Sequence, residues 1–319
     1  MTGFRFLPLL VSFGGGMFGA ALGGLNAFIL CGLAAVIGSV IALLGGGQTF
    51  NLTVTWGPFL GPHVAFAGGV AAAAFAARKG LLKSGRDTAS SLFGLHSSST
   101  LIVGGVFGTL GFAIKTALDF VPTLQGIPWV NSIATSIVLG GAVVRLIFGR
   151  TGLIGHPLQR KRQVGPVCGE SAPPRPLQVL LLGIAVGLPS AAIARSLPGS
   201  TGLMLGLGAL ALVFIRFDSR IPVVLHIAWS AEYTVLVTGD IFQGVLLGIV
   251  TAFLAEILRE YVLVEADTHI DPPAFAIALT FPLVPAAAAI GAAPGSPVLS
   301  VFSAVLAAGT FAGLLVLRR

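Results

Sequence analysis

Residues 222–239 read PVVLHIAWSAEYTVLVTG, a run apolar enough to cross a bilayer that nevertheless contains His226 and Glu232. An ionisable side chain at the depth of the hydrocarbon carries a large free-energy cost, so such residues are uncommon in membrane spans. When an ionisable side chain does occur in a membrane span, the first hypothesis is that it belongs to a functional site. We therefore take this stretch as the centre of both the fold and a candidate site.

A related stretch occurs earlier in the chain. Residues 62–68 read PHVAFAG and residues 225–231 read LHIAWSA. In both stretches a histidine is followed by a β-branched residue, an alanine, an aromatic residue and two small residues. The pattern predicts an internal repeat in which His63 and His226 are counterparts.

Composition places the chain in a membrane. Only 9% of the 319 residues are charged and 55% are hydrophobic, and the mean hydropathy is +0.98. These values exclude an ordinary water-soluble domain. The 44 glycines suit helices that approach each other closely in lipid. We expect an all-α polytopic membrane bundle with the lipid bilayer as its surroundings.

Apolar runs long enough to cross about 30 Å of hydrocarbon predict about 11 transmembrane helices. The predicted spans are 5–23, 26–45, 58–77, 98–118, 128–148, 177–195, 200–216, 221–239, 241–262, 272–290 and 297–316. The corresponding divisions are a first membrane repeat (1–150), a basic cytoplasmic linker (151–176), a second membrane repeat (177–290) and an extra C-terminal helix (291–319).

The two halves align beyond the histidine stretch. Residues 104–108 resemble residues 239–243, and residues 131–139 resemble residues 271–279. Each half then has five helices with its histidine on the third, and an odd number inverts the second copy in the membrane. Inverted repeats of this kind build transporters, with the substrate site near the midplane between the copies.

The basic residues predict the orientation. With the N-terminus outside, only Arg5, Lys115 and Arg195 of the 18 Lys and Arg residues fall on the outer side. This positive-inside bias predicts an inner-membrane protein with a cytoplasmic C-terminus. Topology thus explains the net charge of +7, and we expect no nucleic-acid partner. Cys31 and Cys168 offer neither a disulfide framework nor metal spacing, so no cofactor or metal is expected, while a homo-oligomer remains open.

Three ionisable residues lie within predicted spans near the repeat motif. His63 and His226 each lie about one turn into the third helix of a repeat, where an imidazole can donate to a polar or anionic solute, relay a proton, or serve only packing. Glu232 lies near the middle of predicted helix eight, where the first copy has Gly69. Glu232 is interpreted as a proton or cation site, against the alternative of a structural hydrogen bond.

Further candidates lie at helix starts and on helix nine. Asn131 and Asp271 mark equivalent helix starts, and each can be a plain N-cap or can place a dipole-positive helix end toward a permeant anion. Glu256 lies on the inner part of helix nine, with functional and structural roles weighed equally. Lys115 and Asp119 are four residues apart and predict a structural ion pair.

Three stretches resemble the HPP family of small integral membrane proteins, which is named for a His-Pro-Pro helix start. They are THIDPPAFAIAL (268–279), the histidines that follow Pro62 and Leu225, and GIVTAFL (248–254). In this chain Ile270 and Asp271 stand between His269 and the two prolines. Because the family includes members linked to nitrite or nitrate movement, the resemblance implies a small inorganic anion as the substrate.

The sequence therefore predicts a membrane transporter or channel for a small polar solute or inorganic ion. Nitrite or nitrate is the first choice, with a proton carried by Glu232 and a path between helices three, five, eight and ten. One alternative is a cation/proton antiporter that uses Glu232 and Glu256, and another is a neutral-solute channel of the ammonium or urea sort. The third alternative is a membrane-embedded enzyme that acts on a lipid carrier. Its metal would be held by acidic residues of the inner face, namely Glu260, Glu265, Asp267 and Asp271.

Overall fold

The computed structural model describes residues 6–124, 126–155, 175–264 and 266–289, and these residues are mostly helical. The described part of the first half forms α1 (Leu7–Leu22), α2 (Gly24–Ile41), α3 (Ala65–Arg78), α4 (Ser98–Leu118) and α5 (Ser132–Phe148). The second half forms α6 (Pro176–Ser196), α7 (Leu203–Leu210), α8 (Leu225–Thr238), α9 (Ile241–Arg259), α10 (Pro272–Thr280) and α11 (Leu283–Ala289). The prediction of a helical protein is confirmed.

Short elements join these helices. π-Helical turns at Ala42–Gly46 and Asn51–Thr55 follow α2, and another at Glu260–Val264 follows α9. Short 3-10 helices cover Phe93–Leu95 and, as a continuation of α7, Ala211–Arg216. Strands β1 (Thr123–Leu124) and β2 (Ile127–Pro128) form a small antiparallel hairpin between α4 and α5.

The observed helices begin or end inside some predicted spans. The span 58–77 becomes helical only at Ala65, because residues 57–64 fold into turns around Pro62. The span 272–290 divides into α10 and α11, since Pro282 has no N–H to continue the helical ladder. The predicted helix 297–316 lies outside the described residues.

Equivalent helices of the two halves begin in the same way. The Asn131 side chain accepts a hydrogen bond from Ala134 N at 2.9 Å, and the Asp271 side chain accepts one from Ala274 N at 2.8 Å. Each side chain therefore caps the third N–H of its helix, α5 or α10. The predicted N-caps are confirmed at both positions.

The two halves also pack in corresponding ways. In the first half α1 packs against α3 and α4, and α3 packs against α4; in the second half α6 packs against α8 and α9, and α8 packs against α9. Most residues of α3 and α8 are buried, so these two helices form the centre of their halves. Between the halves, α2 contacts α7 and α5 contacts α10. The halves thus meet through helices that hold equivalent places in the chain.

Small residues allow these contacts to be close. A Cβ added at Gly16 of α1 would collide with the carbonyl of Gly104 on α4, and one added at Gly111 would collide with the carbonyl of His63. Backbone approach of this kind is typical of helix packing in membranes.

Four helices in the described part of the chain are long and apolar enough to cross a membrane. They span Gly24–Gly46, Ser98–Leu118, Pro176–Ser196 and Ile241–Val264. Large apolar side chains on their outer faces, such as Leu33, Ile102 and Leu181, are exposed. An exposed apolar surface of this extent is expected of a protein surrounded by lipid.

An apolar cluster lies where the halves meet. Its buried members come from α3, α5 and α10, and Trp229 of α8 packs against them. The buried members are Phe66, Val70, Ala134, Ile137, Ala274 and Ile277. The predicted path between helices three, five, eight and ten therefore passes an apolar centre.

Candidate functional site

The side chain of Glu232, a residue of α8, reaches the beginning of α7. This side chain is fully buried, and its Oε1 accepts a hydrogen bond from Gly202 N at 3.0 Å. The N–H groups of residues 203–205 are near enough to act electrostatically on the carboxylate, whereas Oε2 has no hydrogen-bond partner among the described residues. A carboxylate thus occupies the dipole-positive end of a helix to which it does not belong.

The local backbone makes this arrangement possible. Gly202 has φ +89°, a left-handed conformation that glycine adopts without strain, and α7 begins at the next residue. Ser200 belongs to the preceding turn, in which its carbonyl accepts from Leu203 N at 2.8 Å. The Ser200 hydroxyl is fully buried and has no hydrogen-bond partner within the described chain.

A row of polar atoms without partners runs along α8. His226 Nδ1, Trp229 Nε1 and Tyr233 Oη are buried and make no hydrogen bond to any described residue. Their spacing of three and four residues places them on one helical face. The Trp229 and Tyr233 rings stack at 5.8 Å, and Tyr233 stacks on Phe281 at 4.4 Å. The sequence analysis named His226 but missed Trp229 and Tyr233, although the spacing of the two aromatic residues was visible.

His63 is isolated from this row. It precedes α3, is fully buried, and neither ring nitrogen has a partner among the residues described. Its ring stacks on Phe112 of α4 at a centroid distance of 6.3 Å. The two predicted histidines are thus alike in burial and unsatisfied nitrogens, but they have different neighbours.

Asp271 pairs with a histidine at the beginning of α10. Besides capping the helix, its Oδ1 lies 3.3 Å from His269 Nε2. The His269 ring meets the edge of Phe66 at 5.7 Å. The structure therefore places His269 beside Asp271, and the sequence showed this histidine only as part of a helix start.

Two cavities lie near α5. One of about 10 Å³, enough for roughly one water molecule, is lined by residues of α3 and α5 and by His269 and Asp271. The other, of about 110 Å³, lies at the beginning of α5 and is lined in part by Asp119 and Ser132. Asp119 forms the predicted ion pair with Lys115 at 2.6 Å, which confirms that pairing.

The remaining predicted residues have structural partners. The Asn131 side chain caps α5, and Glu256 Oε2 lies 3.3 Å from Arg259 Nε. Within the described ranges, His63, Asn131 and Glu232 share no hydrogen bond with one another or with His226 or Asp271. The predicted residues therefore occupy separate positions and share no hydrogen-bonded cluster in the part of the chain that the structure describes.

A buried arginine that the sequence analysis assigned only to topology links the halves. Arg145 at the end of α5 is 1% exposed. Its Nη2 donates to the carbonyls of Val262 and Thr268, its Nε donates to Thr268 Oγ1 at 3.0 Å, and its Nη1 donates to Leu153 O at 2.9 Å. These bonds fasten α5 to the segment between α9 and α10.

The described part of the chain contains no group of three or more His, Cys, Asp or Glu residues that could hold a metal ion. Of the acidic residues considered for a metal, Asp267 accepts from Arg150 N at 2.7 Å and from Thr151 Oγ1 at 2.9 Å. Glu260 pairs with Arg259 at 2.9 Å. Glu265 lies outside the described residues.

Comparison with known proteins assigns the chain to a family. A model of a family of unknown function (DUF7973) matches residues 1–173 and 171–302, and the chain belongs to this family. The two matched stretches meet within the predicted linker. No curated protein and no solved structure matches the chain.

Proposed function

We propose that this protein is a membrane transporter or channel for a small polar solute or inorganic ion, and that its first substrate is a small anion such as nitrite or nitrate. The proposal includes about 11 transmembrane helices in an inner membrane, with the N-terminus outside and the C-terminus in the cytoplasm. The four membrane-capable helices and the distribution of basic residues support this topology.

The proposed architecture is a pair of inverted five-helix repeats followed by one helix. Corresponding packing within the halves and the pairing of α2 with α7 and of α5 with α10 support a two-fold relation. Two matches to the family model, one over each half, support the same division. Inverted repeats place a solute site where the copies meet.

The row of unsatisfied polar atoms on α8 carries the functional proposal. Buried polar atoms in folded proteins nearly always have hydrogen-bond partners, and exceptions require an explanation. Trp229 Nε1 is a donor only, and Tyr233 Oη and a His226 ring nitrogen can donate. A row of donors on a central helix is suited to a solute that accepts hydrogen bonds and moves past them.

The geometry favours an anion over a cation. The cation/proton alternative uses two carboxylates. The Glu232 carboxylate lies at the positive end of α7, where a cation is disfavoured. The Glu256 carboxylate lies 3.3 Å from Arg259. The donors of α8 have the opposite preference, since hydrogen bonds to a charged acceptor are the strong ones.

Flux in proteoliposomes tests this proposal. Reconstituted full-length protein should swell vesicles or shift an internal pH dye with nitrate or nitrite, and less with ammonium, urea or alkali cations. Removing a donor with Tyr233→Phe or Trp229→Phe should lower the nitrate flux at subsaturating nitrate by about tenfold, because a hydrogen bond to a charged group contributes about 1.5–3 kcal/mol.

The matched control is Tyr261→Phe, the same chemical change at an exposed side chain that follows α9. It should leave nitrate flux unchanged. If both Tyr233→Phe and Trp229→Phe carry nitrate as fast as the unaltered protein, the path does not follow α8. Flux of none of these solutes, together with turnover of a lipid carrier that depends on Mg²⁺, would point to the enzyme alternative.

A further inference from the structure

The Glu232 carboxylate stands where a free anion binds at a helix N-terminus. Helix N-termini bind anions because their first N–H groups are unpaired and the dipole is positive there. At α7 the N–H of Gly202 already donates to Glu232 Oε1, at 3.0 Å. The site is therefore built for negative charge and is occupied by a side chain.

Two buried groups next to α7 have unused hydrogen-bonding capacity. Glu232 is 0% exposed and points into the helix start, yet its Oε2 has no partner in the described residues. The Ser200 hydroxyl, also 0% exposed, is unpaired two residues before Gly202. A bound anion with several acceptor oxygens would use the hydroxyl donor and the helix N–H groups together.

Among the described residues, no cationic side chain contacts the Glu232 carboxylate. Ionisable side chains on α8 and on the elements packed against it do not contact its carboxylate within the described ranges. These side chains are Arg195 on α6, Asp240, Glu256 and Arg259 on α9, His269 and Asp271 at the beginning of α10, and His226 and Tyr233 on α8 itself. Within the part of the chain that the structure describes, backbone N–H groups hold the carboxylate, and these are the bonds that a competing anion would replace.

We propose that the beginning of α7 is a binding site for a small monovalent anion such as nitrate, and that the Glu232 carboxylate and the anion occupy it in turn. A proton from solution that adds to Oε2 neutralises the carboxyl group, and a neutral group is held less strongly by the helix dipole. The anion then takes its place. This inference rests on the proposed transport function and adds to it the binding site and the coupled uptake of one proton with one anion.

The first half shows why only one such site is expected. Gly69 is the counterpart of Glu232, and a Cβ there would lie 2.6 Å from Gly24 N at the beginning of α2. The equivalent helix start is therefore closed by backbone contact, without room for a side chain or an anion.

Trp56 provides a reporter of binding at this site. A Cβ built on Gly202 would lie 3.1 Å from Trp56 Cζ2, so an anion at α7 lies near the indole ring. Nitrate quenches indole fluorescence, and a bound nitrate adds a saturable component to the collisional quenching. Titration of the full-length chain in detergent with nitrate measures this component directly, without a flux assay.

In the unaltered protein, we expect nitrate affinity to rise about tenfold between about pH 8 and about pH 5 as Glu232 takes up its proton. Glu232→Gln should bind nitrate independently of pH, and at about pH 8 about tenfold more tightly than the unaltered protein. Adding Trp56→Phe to Glu232→Gln should remove the saturable quenching. Ser200→Ala should weaken nitrate binding at about pH 5 severalfold.

The control Glu256→Gln makes the same chemical change on α9 and should keep the pH dependence of the unaltered protein. Nitrate affinity that does not change with pH in the unaltered protein overturns the inference, and so does Glu232→Gln that binds no more tightly at about pH 8. The first of these results requires no variant, so it holds even if Glu232→Gln fails to fold. If the protein carries nitrate but binds it equally well at all pH values, the α7 site is wrong and the transport function stands. If nitrate binds at α7 as expected but the protein carries none across the membrane, the transport function is wrong and the site stands.

Discussion

Helices α3 and α8 pack against corresponding neighbours, but they carry different chemistry. Each follows or contains a buried histidine, and three later positions then differ. The first half has Phe66, Gly69 and Val70 where the second has Trp229, Glu232 and Tyr233. The first half shows that the packing arrangement forms without these polar atoms. Their presence in the second half is therefore better explained by function than by packing.

The halves also differ at the C-terminal end of α5 and its counterpart in the second half. Arg145 at the end of α5 fastens the first half to the segment before α10. The alignment of Asn131 with Asp271 places Pro285 at the counterpart of Arg145, beyond the break between α10 and α11. One end of the assembly is thus tied by a buried cation, and the corresponding helix in the other half is interrupted.

The largest effect is expected from breaking this tie. Arg145→Met would leave the carbonyls of Leu153, Val262 and Thr268 without this donor, and each buried acceptor left unsatisfied costs about 1–3 kcal/mol. The midpoint of thermal unfolding in detergent, followed by size-exclusion chromatography, should fall strongly. Arg78→Met is the control, because the one hydrogen bond of Arg78 to a described residue is a marginal, exposed bond of 3.5 Å to Phe148 O. Equal midpoints for the two variants would show that the tie contributes nothing.

A smaller effect is expected at the glycine contact of the first half. In Gly69→Ala the new Cβ would lie 2.5 Å from Gly24 Cα, and overpacking of this kind costs about 1–3 kcal/mol. Gly140→Ala in α5 is the matched control, since nothing lies within 4 Å of its new Cβ. The control should be neutral or gain about 0.5–1 kcal/mol. A Gly69→Ala protein as stable as the control would mean that the first half has room for a side chain after all.

Most helices could be predicted from the sequence because hydropathy and span length determine where they lie. Helix α4 is observed at Ser98–Leu118, the same bounds as the predicted span. The beginning of α3 was less predictable, because residues 57–64 are apolar enough for a span while their turns depend on Pro62 and on local hydrogen bonds. Hydropathy does not distinguish an apolar turn from an apolar helix.

The candidate site was predicted less completely. Glu232 stood out because a charge in an apolar run is costly, but its partner is a backbone N–H thirty residues earlier in the chain, which no local pattern reveals. Trp229 and Tyr233 resemble ordinary core aromatics in the sequence. Only the packing around α8 shows that their polar atoms are buried and have no hydrogen-bond partner among the described residues.

The smallest effect is expected where the halves agree. Asp271→Ala and Asn131→Ala each remove an N-cap that accepts from the third residue of its helix, and each should lose about 1 kcal/mol. Asp271→Asn and Asn131→Asp keep the cap and should lose much less in the same thermal measurement. A loss at only one of the two positions would contradict a shared helix start. Similar losses would show that the frame is common to both halves, which leaves the polar atoms of α8 as a difference that helix formation does not require.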